Sequence, residues 1–118
     1  MPAERVEVGV RQKSGVAIID LHGEINAFAE EPLNAAYAEA EGSDPRAILL
    51  NFDSVDYINS TGIALIVGLL GRARKSSRSL LAYGLSEHYV EIFSITRLVD
   101  YMAVFSDEES ALASAPIS

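Results

Sequence analysis

The segment Tyr57-Ile58-Asn59-Ser60-Thr61-Gly62-Ile63 sets a carboxamide, two hydroxyls and a glycine in consecutive positions ahead of an apolar run. Oxygens of this kind accept hydrogen bonds from the free N–H groups of a helix start, so the plain reading is a helix cap with Ser60 as the capping residue. Asp53 and Asp56 stand just before it, but no acid, base or nucleophile accompanies them at a catalytic spacing, and they read as turn residues. His22 and His88 are isolated and have no second histidine or cysteine at metal-ligand spacing, so no metal site follows. With no cysteine in the chain, disulfides, thiolate zinc sites, iron–sulfur clusters and a cysteine nucleophile are excluded together. A phosphate-cradling glycine loop with its Lys-Ser/Thr and a nucleophile elbow are also missing from the sequence. No catalytic residue and no cofactor are expected, and binding is the chemistry left for the polar segment.

The elements that must hold this segment can be read from periodicity. Val6, Val8 and Val10 alternate with polar or small residues, as in a half-buried strand; Ser14-Gly15 turns the chain, and residues 16–21 form a second strand ending at Gly23. Glu30-Glu31-Pro32 opens a helix with Leu33, Ala36, Tyr37 and Ala40 on one face, stopped by Gly42-Ser43-Asp44-Pro45. Residues 47–52 are an almost unbroken apolar run, the pattern of a central strand covered on both faces. A polar loop over 54–59 follows, then a helix from Ser60 through Lys75. Residues 80–83 make another strand, Ser86 starts a short helix with Tyr89, Val90, Ile92 and Phe93, and residues 101–105 make the last strand. Ser106-Asp107-Glu108-Glu109 reads as a capping box for the final helix, with residues 115–118 a frayed tail. The alternation implies a single α/β domain over 1–118: a mixed sheet of four to five strands with about four helices largely on one side.

Composition narrows the partners. A net charge of -8 over 118 residues opposes nonspecific nucleic-acid binding, which needs a basic face. The longest apolar stretch, residues 63–70, is far short of the roughly 20 residues that cross a bilayer, so no membrane insertion is expected. Met1-Pro2-Ala3-Glu4-Arg5 does not read as a secretory signal, and the lack of cysteine suits a reducing cytoplasm. The apolar run 63–70 is expected to lay one face on the sheet and leave another partly exposed for a protein partner. Arg72, Arg74, Lys75 and Arg78 gather near the end of the same helix, where they compensate its dipole or dock an acidic surface.

In this order of elements, Leu21-His22-Gly23-Glu24-Ile25-Asn26 and Tyr57-Ile58-Asn59-Ser60-Thr61-Gly62-Ile63 resemble the Gly-Glu-Leu/Ile-Asp turn and the Asp-Ser-Ser/Thr-Gly-Leu/Ile signature of the STAS domain in bacterial anti-sigma factor antagonists. The ending Val104-Phe105-Ser106-Asp107-Glu108-Glu109-Ser110-Ala111-Leu112 is also similar, and the resemblance covers nearly all of the chain. It implies a non-enzymatic regulator that binds an anti-sigma factor with serine kinase activity and lets go once Ser60 is phosphorylated. Asn26, Asn59, Ser60, Thr61, Gly62 and Ile63 are then the partner-binding residues. Asn26 and Asn59 depart from the family's usual Asp; each keeps an acceptor oxygen and removes a charge beside the hydroxyl. The rival reading within the resemblance is a non-switching STAS subunit of a lipid-transporting ABC system or a stressosome-like scaffold. Oligomeric state is left open, a homodimer included. Ser60 is expected to be solvent-accessible at the start of the helix that follows the 47–52 strand.

Overall fold

Ser14 and Gly15 both adopt positive φ, 55° and 79°. Two such residues in succession make the hairpin turn whose twist matches that of its strands, and here it joins β1 (Glu7–Lys13) to β2 (Val16–Ile25) in antiparallel register. The computed structural model describes residues 6–116; the leading segment Met1 to Arg5 lies outside them. After a single turn of tight helix at Ala27–Ala29 come α1 (Glu30–Gly42), β3 (Ala47–Ile58), α2 (Ser60–Lys75), β4 (Ser79–Tyr83), α3 (Glu87–Ile95), a second tight turn at Leu98–Asp100, β5 (Ala103–Phe105) and α4 (Glu108–Ser114). The five strands lie in the order β1-β2-β3-β4-β5, and every pair after the hairpin is parallel. This is the mixed α/β sheet expected from the alternation, with helical crossovers between parallel neighbours.

Strand alternation sorts the core into two layers. Ala17, Ile19 and Leu21 of β2, Ile48, Leu50 and Phe52 of β3, and Leu80 and Ala82 of β4 face α1, α2 and α3, whose Leu33, Tyr37, Ile66, Leu69 and Phe93 close over them. Phe52 and Phe93 meet edge to face with ring centres 6.2 Å apart. The intervening residues Val16, Ile18, Ala47, Leu49, Leu81 and Tyr83 face the other way and are covered by Ala111 of α4 and by Ala115. Three helices therefore share one side and α4 stands alone on the other, and the 47–52 run is apolar except at the half-buried Asn51 because both of its faces are covered.

Several boundaries differ from expectation. β2 does not stop at Gly23: it continues to Ile25 through register shifts between Asp20 and His22 and between Gly23 and Glu24. β3 likewise runs to Ile58, because Val55, Tyr57 and Ile58 pair with Gly23, Glu24 and Ile25. Residues 54–58 are thus strand rather than loop, and Asp53 and Asp56 are exposed strand residues, not turn residues. The last strand begins at Ala103 instead of Tyr101. α4 is capped by Asp107, whose carboxylate accepts from Ser110 N, in place of a Ser106–Glu109 capping box. Ala115 is buried in the second layer rather than frayed; Ile117 and Ser118 lie outside the described residues.

Candidate functional site

β2 and β3 end side by side, and the polar segment begins where they stop. The carbonyl oxygen of Ile25 is the junction: it accepts from Asn59 N at 3.2 Å, which ties the end of β3 to the end of β2. Asn59, not Ser60, is the capping residue. Its backbone is extended (φ -87°, ψ -179°), and its side-chain oxygen Oδ1 accepts from Gly62 N at 2.8 Å, the third residue of the helix. Ser60 is the first helical residue, so its hydroxyl has no capping duty and is exposed, as is Thr61. The expectation of an accessible Ser60 at the start of this helix agrees with the geometry.

Gly62 has an internal reason for being glycine. A Cβ there would stand 2.1 Å from the Ile25 carbonyl oxygen and 2.9 Å from Ile58 Cγ2, contacts that no side chain tolerates. The close approach it permits is therefore between the helix start and the chain's own β2, and Gly62 is buried. Ile63 is half-buried and packs against the main core. Asn26, at the end of β2, caps the tight turn that follows by accepting from Phe28 N at 3.0 Å. The surface of the predicted set is thus made by Ser60 and Thr61 with the half-buried Asn26 and Asn59, while Gly62 and Ile63 hold the geometry beneath.

Two features had no signal in the sequence. Tyr89 of α3, read as an apolar-face residue, is buried, and its hydroxyl oxygen accepts from Ile58 N at 2.8 Å. That bond satisfies the last strand amide before the cap, across 31 positions of sequence. Tyr57 and Phe28, exposed at 52% and 61%, add aromatic surface at the same end of the sheet. A periodicity reading could have found neither, since one is a long-range contact and the others break the pattern of their elements.

From Ser60 the exposed side of α2 continues through Ala64, Val67, Gly68 and Gly71 to Arg74 and Lys75. The opposite side, with Ile66, Leu69, Leu70 and Ala73, is buried, so the apolar run does have one face on the sheet side and one open. The basic cluster at its end is engaged mostly within the chain. Arg72 pairs with Glu41 at 3.0 Å and lies over the Tyr37 ring, Arg74 lies over Tyr101, and Arg78 donates to the Pro45 carbonyl. No group of three or more His, Asp or Glu able to hold a metal occurs among the described residues. His88 packs its ring on Tyr89. No described helix is long and apolar enough to cross a membrane.

With this geometry in view, comparison with known proteins gives a consistent result. The family model of the STAS domain matches residues 7–111. The anti-sigma-B factor antagonist of Bacillus subtilis (strain 168) is 28% identical over 109 residues, covering 91% of this chain and 97% of the relative. Among solved structures, an anti-sigma factor antagonist from Mycobacterium paratuberculosis superposes with a TM-score of 0.77 at 18% identity, covering 94% of each chain. The Bacillus cell fate determinant SpoIIAA in its phosphorylated form gives a TM-score of 0.71 at 20% identity, covering 93% of this chain and all of that one. At such identities the two structures establish the shared fold.

Proposed function

The chain belongs to the STAS domain family, and on that footing we propose that it is a cytoplasmic, non-enzymatic anti-sigma factor antagonist. Its partner is an anti-sigma factor with serine kinase activity, bound at the Ser60 end and released when Ser60 is phosphorylated. The observation that carries this reading is the exposed Ser60 hydroxyl on the first residue of α2, freed from capping because Asn59 does that work. The Bacillus subtilis relative's name, anti-sigma-B factor antagonist, and a phosphorylated SpoIIAA of the same fold support it.

The electrostatics favour a switch in binding rather than in folding. A phosphate adds about -1.5 to -2 charge at a helix N-terminus, where the dipole favours anions by roughly 0.3–1 kcal/mol, so the free fold tolerates it. At a docked interface the same group must be desolvated, and a cost of about 4 kcal/mol weakens affinity roughly a thousandfold. Because Asn26 and Asn59 are neutral, this chain offers no carboxylate at either position to hold a metal or orient the hydroxyl during transfer.

The test is titration calorimetry against the cognate anti-sigma kinase with wild type, Ser60→Ala and Ser60→Asp, paired with thermal melting. Ser60→Asp should melt like wild type and bind poorly, whereas Ser60→Ala should resist phosphorylation and keep its affinity. Wild-type affinity in Ser60→Asp, or recovery of a transporter ATPase instead of an anti-sigma kinase as the native partner, turns the assignment toward the non-switching STAS subunit.

A further inference from the structure

At the end of the molecule away from Ser60, the loops that lead from α1 into β3 and from α2 into β4 lie together. Ala47 of β3 pairs with Ser79 of β4, so Arg46 and Arg78, each the residue just before its strand, enter the sheet side by side, where strand axes are about 4.8 Å apart. Like charges in that relation repel. They line one open cleft of about 370 Å³ with Ser76, Ser77 and Ser79, and its single carboxylate, on the exposed Asp44, reaches Arg78 only at 3.4 Å. The chain holds seventeen acids against nine bases, yet no closer counter-ion stands among the cleft's described residues.

The guanidinium groups are held in place and incompletely used. Arg78 donates one Nη to the Pro45 carbonyl. The first turn, between β1 and β2, backs Arg46: a Cβ on Gly15 would stand 3.2 Å from Arg46 Nη1. In both arginines Nε is buried and has no acceptor among the described residues, so only the Nη groups can meet a molecule in the cleft. Neutralising the ends of α1 and α2 does not account for the pair. The Ala40 and Glu41 carbonyls of α1 and the Arg72, Ala73 and Arg74 carbonyls of α2 are already bonded in their own turns, by the amides of Ser43 and Asp44 and of Ser76, Ser77 and Arg78. The carbonyl that receives a guanidinium is that of Pro45, outside both helices. The Nη groups of Arg46, which make no hydrogen bond or ion pair among the described residues, and those of Arg78, used only toward the Pro45 carbonyl and the exposed Asp44, stand beside three serines and match the oxygens of a tetrahedral anion.

We propose that this cleft binds a phosphoryl group of a small molecule, with Arg46 and Arg78 as its principal donors and Ser76, Ser77 and Ser79 completing the contacts. It lies about 24 Å from Ser60, the length of the sixteen-residue α2, so it stands independently of the switch proposed there.

Arginine Nε–Hε signals in ¹⁵N–¹H spectra report on the two guanidinium groups, with inorganic phosphate and ATP titrated separately at fixed ionic strength. Saturable shifts at Arg46 and Arg78 are expected, with an affinity on the order of 1 mM or tighter and a loss of at least about tenfold in Arg46→Gln. Arg46→Lys keeps the charge without the planar fork and should also bind more weakly. Arg97→Gln, which removes a charge from the exposed Arg97–Asp100 pair outside the cleft, should bind as wild type does. A preference for ATP identifies a nucleotide source and parity a free phosphate; either supports the site. Shifts that do not saturate, shifts spread evenly over exposed arginines, or an Arg46→Gln protein that melts normally and binds like wild type overturn it.

Discussion

The starts of α2 and α4 are built on the same local device and secured in opposite ways. Asn59 and Asp107 each leave the helix in extended conformation and each accept an amide hydrogen bond at 2.8 Å, from Gly62 and Ser110. Around Asn59 the supporting contacts are neutral and buried or half-buried: the Ile25 carbonyl, the Gly62 backbone and the Tyr89 hydroxyl. Around Asp107 they are ionic and half-open to water. Glu108 accepts from Arg11 at 2.6 Å, from Tyr83 at 2.9 Å and from Lys13 at 3.3 Å, while Asp20 pairs with the same Arg11 and accepts from Asn51 at 2.7 Å. The small apolar layer under α4 needs that second fastening; the end that carries Ser60 is fixed by packing and by neutral hydrogen bonds. The lesson is that the candidate site should be indifferent to pH and salt, and the grip of α4 should not.

The comparison is broken most severely at Gly62. In an ordinary helix Gly→Ala gains up to about 1 kcal/mol, but here the new Cβ meets a backbone oxygen, and Gly62→Ala should cost about 3 kcal/mol or more in urea unfolding. A neutral or stabilising result would show that the β2–α2 junction yields easily. Next in size is Tyr89→Phe, which leaves the buried Ile58 N–H without its acceptor and should cost about 1–3 kcal/mol. Hydrogen exchange should quicken at Ile58 and Asn59 with little change near Asp107.

The α4 side supplies the contrasting, smaller effect. Hydrogen bonding from Arg11, ahead of that from Tyr83 and Lys13, holds the Glu108 carboxyl down at about 2, against 4.5 when free. Asp20 is lowered by the same arginine, and the Tyr83 hydroxyl is raised chiefly by burial and secondarily by Glu108. A depressed carboxyl stabilises the fold above its free value and loses that contribution as pH falls through its folded value. Melting temperature should therefore decline from about pH 4.5 towards pH 2. Glu108→Gln should flatten that decline and cost about 1 kcal/mol at neutral pH, a figure reduced for solvent screening and smaller still at high salt. An unchanged pH profile in Glu108→Gln would remove the ionic half of the contrast. Smallest of all is Ser60→Ala: with Asn59 as the cap, it should change stability by no more than about 0.5 kcal/mol in the same unfolding assay. A loss near 1 kcal/mol would return the capping role to Ser60.

Periodicity in the chain was sufficient for the element order, the central position of the 47–52 strand, the helix from Ser60 through Lys75 and the two-sided burial of the middle of the sheet. Those properties are local: a period of two or of about 3.6 is written in neighbouring residues and survives whatever the rest of the chain does. Tertiary structure alone decided that Asp53 to Ile58 is strand, because its polar composition is overridden by pairing with β2. Placement of the cap on Asn59 and not Ser60 was decided in the same way, by the Ile25 carbonyl that anchors Asn59 from a strand end more than thirty positions earlier. That oxygen also makes Gly62 a necessity, and Tyr89 from the other direction satisfies the preceding amide. Residue types at the site were legible because capping chemistry needs particular side chains; their division of labour was not, because each role depends on which distant backbone group arrives beside it.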